Sequence, residues 1–152
     1  MSNGEVSNKL LKVAAGEMTV SGFAEIAPIH LLIALSRVSE EQSSNGADES
    51  LTALRLEFDS LGIEPRRFRR RLRALLPKQS SAPQPAAIHR SENTRHIYLL
   101  ADALAQASGE EPSPSHLLRA MFLSLADMVA SNQGGYPGPG NGPADDDIPR
   151  EL

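Results

Sequence analysis

A seven-residue motif occurs twice in this chain, at a spacing of 86 residues. The segment Pro28-x-His30-Leu31-Leu32-x-Ala34 recurs as Pro114-x-His116-Leu117-Leu118-x-Ala120. Without a gap, the alignment extends into the preceding segment and matches Leu11, Val13 and Ala15 with Ile97, Leu99 and Ala101. A repeat of this kind is typical of one supersecondary unit used twice, with the two copies burying their apolar faces together. The repeat therefore predicts a pseudo-twofold domain in which the two His-Leu-Leu segments pack on each other.

Apolar residues recur at helical spacing through most of the chain, and no stretch of four or more residues alternates convincingly between apolar and polar. The first motif copy, Pro28–Leu35, is apolar all round and predicts a central helix that begins at a proline. Amphipathic helices are predicted by four apolar stripes: Val6, Leu10, Leu11, Val13 and Ala14; Leu51, Leu54, Phe58 and Leu61; Phe68, Leu72, Leu75 and Leu76; and Ile97, Leu100, Ala101 and Leu104. The predicted fold class is all-α.

Local signals predict where these helices begin and end. Gly62 and Gly109 are expected just beyond helix C-termini, Pro65 at a helix start and Ser91 at an N-cap. Residues 39–48 read as a loop and residues 77–87 as a Pro-rich linker. The predicted organisation is a double repeat over 5–133, with a first repeat at 5–77, a linker at 78–87, a shortened second repeat at 88–133, and a disordered Gly/Pro-rich acidic tail or tether at 134–152.

Composition excludes several classes of protein. The chain has 152 residues, a net charge of −4 and no cysteine, so it carries no disulfide framework, thiolate zinc site or cysteine nucleophile. No apolar run approaches the roughly 18 residues needed to cross a bilayer, and residues 1–5 lack the basic start of a signal peptide. We therefore expect a cytoplasmic protein with no membrane partner.

Two histidines, His30 and His116, occupy equivalent positions of the repeat. A metal or general-base role is one interpretation, but no other His, Cys or carboxylate stands nearby at ligand spacing. Buried polar groups usually bond to protein neighbours, so we predict structural histidines that hydrogen-bond a helix end or loop. No metal and no cofactor are predicted.

Six arginines fall within eight residues, and they are Arg66, Arg67, Arg69, Arg70, Arg71 and Arg73. They fit the solvated face around the apolar stripe of their helix, which is the favoured interpretation. A patch for an acidic protein partner is the second interpretation, because guanidinium groups bind carboxylates and phosphates bidentately. Nucleic acid is the least favoured, since the only interleaved aromatic residue, Phe68, lies on the core stripe.

The usual catalytic motifs, including the P-loop Gly-x-x-x-x-Gly-Lys-Ser/Thr, do not occur in the sequence. A triad assembled by folding remains open. We predict a non-catalytic domain.

The doubled His-Leu-Leu segments resemble the Clp repeat, which forms the N-terminal domain of Hsp100/Clp AAA+ unfoldases. The stretch Leu54–Leu76 also resembles the end of that family's first repeat, and the match covers about residues 5–130. The resemblance implies two helical repeats that bind substrate or adaptor proteins for an AAA+ ATPase, present in the same chain or in another.

The family resemblance also implies a binding site at the helix starts, which here falls on Ser7, Ile29, Ser91 and Ser115. In some members, a Glu before each motif histidine and a hydroxyl residue help to recognise phosphoarginine. Here those Glu positions are Ile29 and Ser115, so no carboxylate is available to pair with a guanidinium. The expected function is recognition of substrate or adaptor proteins for a Clp/Hsp100 unfoldase or protease. The alternative is a stand-alone adaptor or regulator that binds an acidic partner through the arginine face.

Overall fold

The computed structural model of the protein describes residues 3–41, 49–77 and 87–134. These ranges contain six helices: α1 (Asn3–Ser21), α2 (Pro28–Glu40), α3 (Glu49–Ser60), α4 (Pro65–Ala74), α5 (Glu92–Ala107) and α6 (Pro114–Gly134). The all-α prediction is confirmed, since the described residues form no strand and only one isolated parallel bridge, between Ile26 and Arg90. The chain divides into two compact units, residues 1–120 and 121–152, and α6 begins in the first unit and continues into the second.

Prolines and caps start these helices as the sequence predicts. Pro28, Pro65 and Pro114 are the first residues of α2, α4 and α6, where a missing N–H leaves no bond unmade. Ser91 caps α5, because its Oγ accepts the N–H of Thr94 at 3.2 Å.

Three helices end in the same way, with a glycine at positive φ. Gly22, Gly62 and Gly109 have φ values of 77°, 70° and 69°, a region that residues with a Cβ adopt only at a cost. In each case the next residue donates its N–H to the carbonyl five residues earlier, as in Glu110 to Ala105 at 2.8 Å. The predicted ends at Gly62 and Gly109 are confirmed.

Helix α2 is the centre of the first unit. It packs against α1, α3, α4 and α5, and its residues from His30 to Ser36 are all buried. The predicted central helix is confirmed. Packing of the two His-Leu-Leu helices on each other stays a prediction.

Some apolar positions differ from the predicted stripes. Leu61 and Leu75 are exposed, and each lies one residue beyond the end of its helix, after Ser60 of α3 and Ala74 of α4. The predicted loop at 39–48 begins later than expected, since Ser39 and Glu40 belong to α2. The carbonyl of Ser39 accepts two bonds from the Arg55 guanidinium, at 2.8 and 3.2 Å, which stabilises this last turn. Residues 42–48 of that loop, the linker over 78–86 and the tail from residue 135 lie outside the described residues.

The ungapped alignment of α1 with α5 is wrong by one residue. Their buried positions match at a spacing of 87 residues, pairing Leu10, Ala14 and Met18 with Ile97, Ala101 and Ala105. The terminal glycines, Gly22 and Gly109, are separated by the same 87 residues. The motif histidines are 86 apart, so the turn before α6 is one residue shorter than the turn before α2. An ungapped sequence alignment cannot account for two turns that differ in length by one residue.

Candidate functional site

Two cavities of the first unit meet at Ser7 and Tyr98, which line both. The larger has a volume of about 590 Å³, and the described residues that line it are Ser7, Leu11, Lys12, Ala15, Ile26, Ile88, His89, Arg90, Arg95 and Tyr98. The smaller has a volume of about 140 Å³ and is lined by Ser7, Leu10, Tyr98, Ala101, Asp102, Leu117 and residues 112–114. We call the larger cavity the α1/α5 groove.

A clip of hydrogen bonds holds one wall of this groove. The Ile26 N–H donates to the carbonyl of His89 at 2.8 Å, and the Ser91 N–H donates to the carbonyl of Ile26 at 2.9 Å. The buried Thr94 hydroxyl donates to the same Ile26 carbonyl at 2.8 Å. Residues 88–91 are therefore fixed beside the turn that leads into α2, and the start of α5 is fixed with them.

The rim of the groove is cationic and its lining is partly apolar. Lys12 and Arg95 are exposed, and the described residues offer no carboxylate as an ion-pair partner to either. Arg90 lies over the Tyr98 ring at 4.6 Å from guanidinium carbon to ring centroid, and its carbonyl accepts a bond from Arg95. Leu11, Ala15, Ile26 and Ile88 provide the apolar surface.

The Tyr98 hydroxyl is buried and has no hydrogen-bond partner among the described residues. Burial raises the pKa of this phenol, against the opposing effect of the nearby Arg90 charge, so it stays protonated and able to donate. A buried hydroxyl without a partner costs about 1–3 kcal/mol.

The two motif histidines share one arrangement. The Nδ1 of His30 accepts the N–H of Ala27 at 2.9 Å, and the Nδ1 of His116 accepts the N–H of Ser113 at 3.1 Å. Each ring thus reaches back from the first helical turn to the residue before the helix. With Nδ1 accepting, the neutral ring carries its proton on Nε2.

The Nε2 contacts of the two histidines differ. His30 donates to Ser21 Oγ at 2.9 Å, and burial lowers the pKa of His30 while the Glu17 carboxylate opposes that shift. His116 Nε2 lies 2.9 Å from Glu110 Oε1, and this bond is the main reason that the pKa of the Glu110 carboxyl is lowered. The hydrogen bonds within each turn thus occupy both nitrogens of each ring. Among the described residues, no three His, Asp or Glu side chains come together in a group that could hold a metal ion.

The four predicted binding residues have different surroundings. Ser7 lines both cavities, whereas Ser91 lies beside the groove as the cap of α5. Ser115 is buried and bonds to Ser113 Oγ at 3.0 Å, next to the smaller cavity. Ile29 is half-buried in the first turn of α2 and is not among the described residues that line either cavity.

The arginine run of α4 divides into two sets. Arg69 and Arg66 bind Glu40 of α2 at 2.5 and 3.6 Å, and Arg73 binds Glu17 of α1 at 2.7 Å, so this set ties α4 to its neighbours. The other set, Arg67, Arg70 and Arg71, is exposed and forms no ion pair with a described residue. We call this second set the outer arginine face.

Sequence reasoning missed Tyr98, Arg90, Arg95 and Lys12, and it assigned no role to His89. The one sequence signal that could have identified Tyr98 is its rarity, since it is one of only two tyrosines in an aromatic-poor chain. The basic residues are scattered singly along the sequence, so only folding shows that they share a rim.

Neither a scan against protein-family models nor a search of curated proteins finds a match to this chain. The resemblance to the Clp repeat accordingly rests on the residues quoted above. Among the described helices, none has the length and apolar character that a membrane span requires.

Proposed function

We propose that this protein is a non-catalytic protein-binding module that receives segments of substrate or adaptor proteins in the α1/α5 groove. The observation that carries the proposal is the groove itself. Its volume of about 590 Å³ lies within the roughly 300–1,000 Å³ typical of ligand sites, and its lining combines apolar and polar side chains. An extended peptide could bury apolar side chains against Leu11 and Ile88.

In this proposal the fold is a Clp N-terminal-like double repeat whose second repeat is shortened. The matched turns support it, since His30 and His116 make the same backbone bond and the preceding helices end at glycines of nearly equal φ. The module then acts in the cytoplasm and serves an ATP-dependent Clp/Hsp100 unfoldase. Reading the coding sequence past the Leu152 codon separates an ATPase in the same chain from one in another chain.

The binding test uses a permanently unfolded model client, reduced and carboxymethylated lactalbumin, with the full chain. Ala15→Arg places a long side chain inside the groove and should abolish binding. Val20→Arg on the same helix is the control, because Val20 is 70% exposed and does not line either cavity. Equal binding by both variants would exclude the groove as the site.

The outer arginine face supports a second candidate function, a stand-alone adaptor or regulator that binds an acidic protein. Three exposed guanidinium groups without described ion-pair partners leave a cationic surface on α4. The triple variant Arg67→Glu, Arg70→Glu and Arg71→Glu should abolish binding of an immobilised polyglutamate peptide and spare groove binding. Binding that survives this variant would remove the face as a candidate. If the face binds nucleic acid instead, the protein should prefer an oligonucleotide to polyglutamate, and this binding should weaken steeply as the salt concentration rises.

A further inference from the structure

The charges around the α1/α5 groove are of one sign. Lys12 stands on α1, Arg95 on α5, and Arg90 between the two clip residues His89 and Ser91, just before α5. The described residues that line the groove include no carboxylate; the one acidic lining residue nearby, Asp102, belongs to the smaller cavity. This excess of positive charge is local, because the whole chain has a net charge of −4.

Two of these cations, Arg90 and Arg95, are also held in place. Arg90 is stacked on the Tyr98 ring, and Arg95 is bonded to the Arg90 carbonyl. The clip between Ile26 and residues 89–91 fixes the backbone that carries Arg90. A pre-positioned cation loses less conformational freedom on binding than a freely moving side chain, so it contributes more to selectivity.

We propose that the groove selects acidic segments, in which carboxylates alternate with apolar side chains. The carboxylates meet Lys12, Arg90 and Arg95 at the rim, and the apolar side chains contact Leu11, Ala15 and Ile88. This inference rests on the proposed function, because it names the class of protein segment that the same site accepts.

The test compares fluorescein-labelled peptides of equal length by anisotropy, with the full chain. One peptide alternates Glu with Leu, a second alternates Ser with Leu, and a third alternates Glu with Ser. We expect the Glu-Leu peptide to bind about tenfold more tightly than either of the others at low salt. The Ser-Leu peptide lacks the carboxylates that meet the cations, and the Glu-Ser peptide lacks the apolar side chains.

Charge reversal then locates the selectivity. The double variant Lys12→Glu and Arg95→Glu should erase the advantage of the Glu-Leu peptide over the Ser-Leu peptide. Because both residues are exposed, the fold should persist, as circular dichroism would verify. The milder Lys12→Gln and Arg95→Gln pair should give an intermediate loss. The matched control, Arg67→Glu with Arg71→Glu on α4, reverses the same number of charges outside the groove and should preserve the advantage.

The outcomes separate the two proposals. Equal binding of the Glu-Leu and Ser-Leu peptides to the wild type, or loss of the advantage in the α4 control, would overturn acidic selectivity while leaving the groove as a binding site. Failure of every peptide to bind would overturn the proposed function itself. Displacement of the Glu-Leu peptide by a lower concentration of oligothymidylate than of unlabelled peptide would replace the acidic segment with nucleic acid.

Discussion

The clip between α5 and the turn before α2 makes a quantitative prediction for Thr94→Val. Thr94 is fully buried, and its hydroxyl donates to the Ile26 carbonyl at 2.8 Å and lies 3.0 Å from Ser91 Oγ. Valine keeps the volume of the side chain and removes these bonds. The Ile26 carbonyl still accepts the Ser91 N–H at 2.9 Å, so no buried acceptor is left alone. The free energy of unfolding should therefore fall by about 1 kcal/mol, the net value of one hydrogen bond.

Ser91→Ala perturbs the same clip from the other side. It removes the acceptor of the Thr94 N–H, and the loss of an N-cap costs about 1 kcal/mol. The contact between the two hydroxyls disappears in either single variant. The double variant should therefore lose less than the sum of the two, by about 0.5 kcal/mol.

Urea denaturation followed by circular dichroism measures all four proteins of this cycle. Thr52→Val on α3 is the control, because Thr52 is exposed and should be nearly neutral. A Thr94→Val loss above about 3 kcal/mol would mean that a buried acceptor is left unsatisfied, contrary to the bonds described. If the loss in the double variant equals the sum of the Thr94→Val and Ser91→Ala losses within about 0.3 kcal/mol, the two hydroxyls do not share a hydrogen-bond network.

Three further predictions concern the core, a helix end and pH. Phe58→Ala should lower the free energy of unfolding by about 3–5 kcal/mol in urea denaturation, since the ring is fully buried; a loss below about 1 kcal/mol would contradict that burial. Gly109→Ala should cost about 1 kcal/mol at its φ of 69° by thermal melting, and an unchanged melting temperature would count against the left-handed turn. Burial lowers the pKa of His30 below 6.5, so the free energy of unfolding should be highest above pH 6.5 and should decline as the pH falls toward the folded-state pKa. His30→Gln should flatten this decline, whereas the control His96→Gln should not. An unaltered pH profile in His30→Gln would refute the role of His30 in this pH dependence.

Helix existence and helix boundaries were predictable because the chemistry that sets them is local. Proline at Pro28 and Pro65 marks a first turn, a serine caps α5 at Ser91, and a glycine at positive φ ends α3 and α5. The apolar segment after Pro28 also predicts the central position of α2, because a helix that is apolar on every side must be covered on every side. These features depend on residues within a few positions of one another.

The arginine run shows where such reasoning stops. Its spacing indicated one cationic face, yet Arg69 and Arg73 bind Glu40 and Glu17, which belong to other helices. The pairing depends on how α4 packs against α2 and α1. A helical wheel of α4 alone cannot distinguish the paired arginines from Arg67, Arg70 and Arg71.

The amino-acid sequence by itself determined the helical class, the central helix, and the helix ends at Gly62 and Gly109. The tertiary structure alone decided the α1/α5 groove, its cationic rim and the unpartnered Tyr98 hydroxyl. The physical reason is distance along the chain: the Thr94 hydroxyl bonds to a carbonyl 68 residues earlier, and that contact sets the wall of the groove. Local propensity acts within one or two helical turns, whereas a binding surface is formed by residues that only packing brings together.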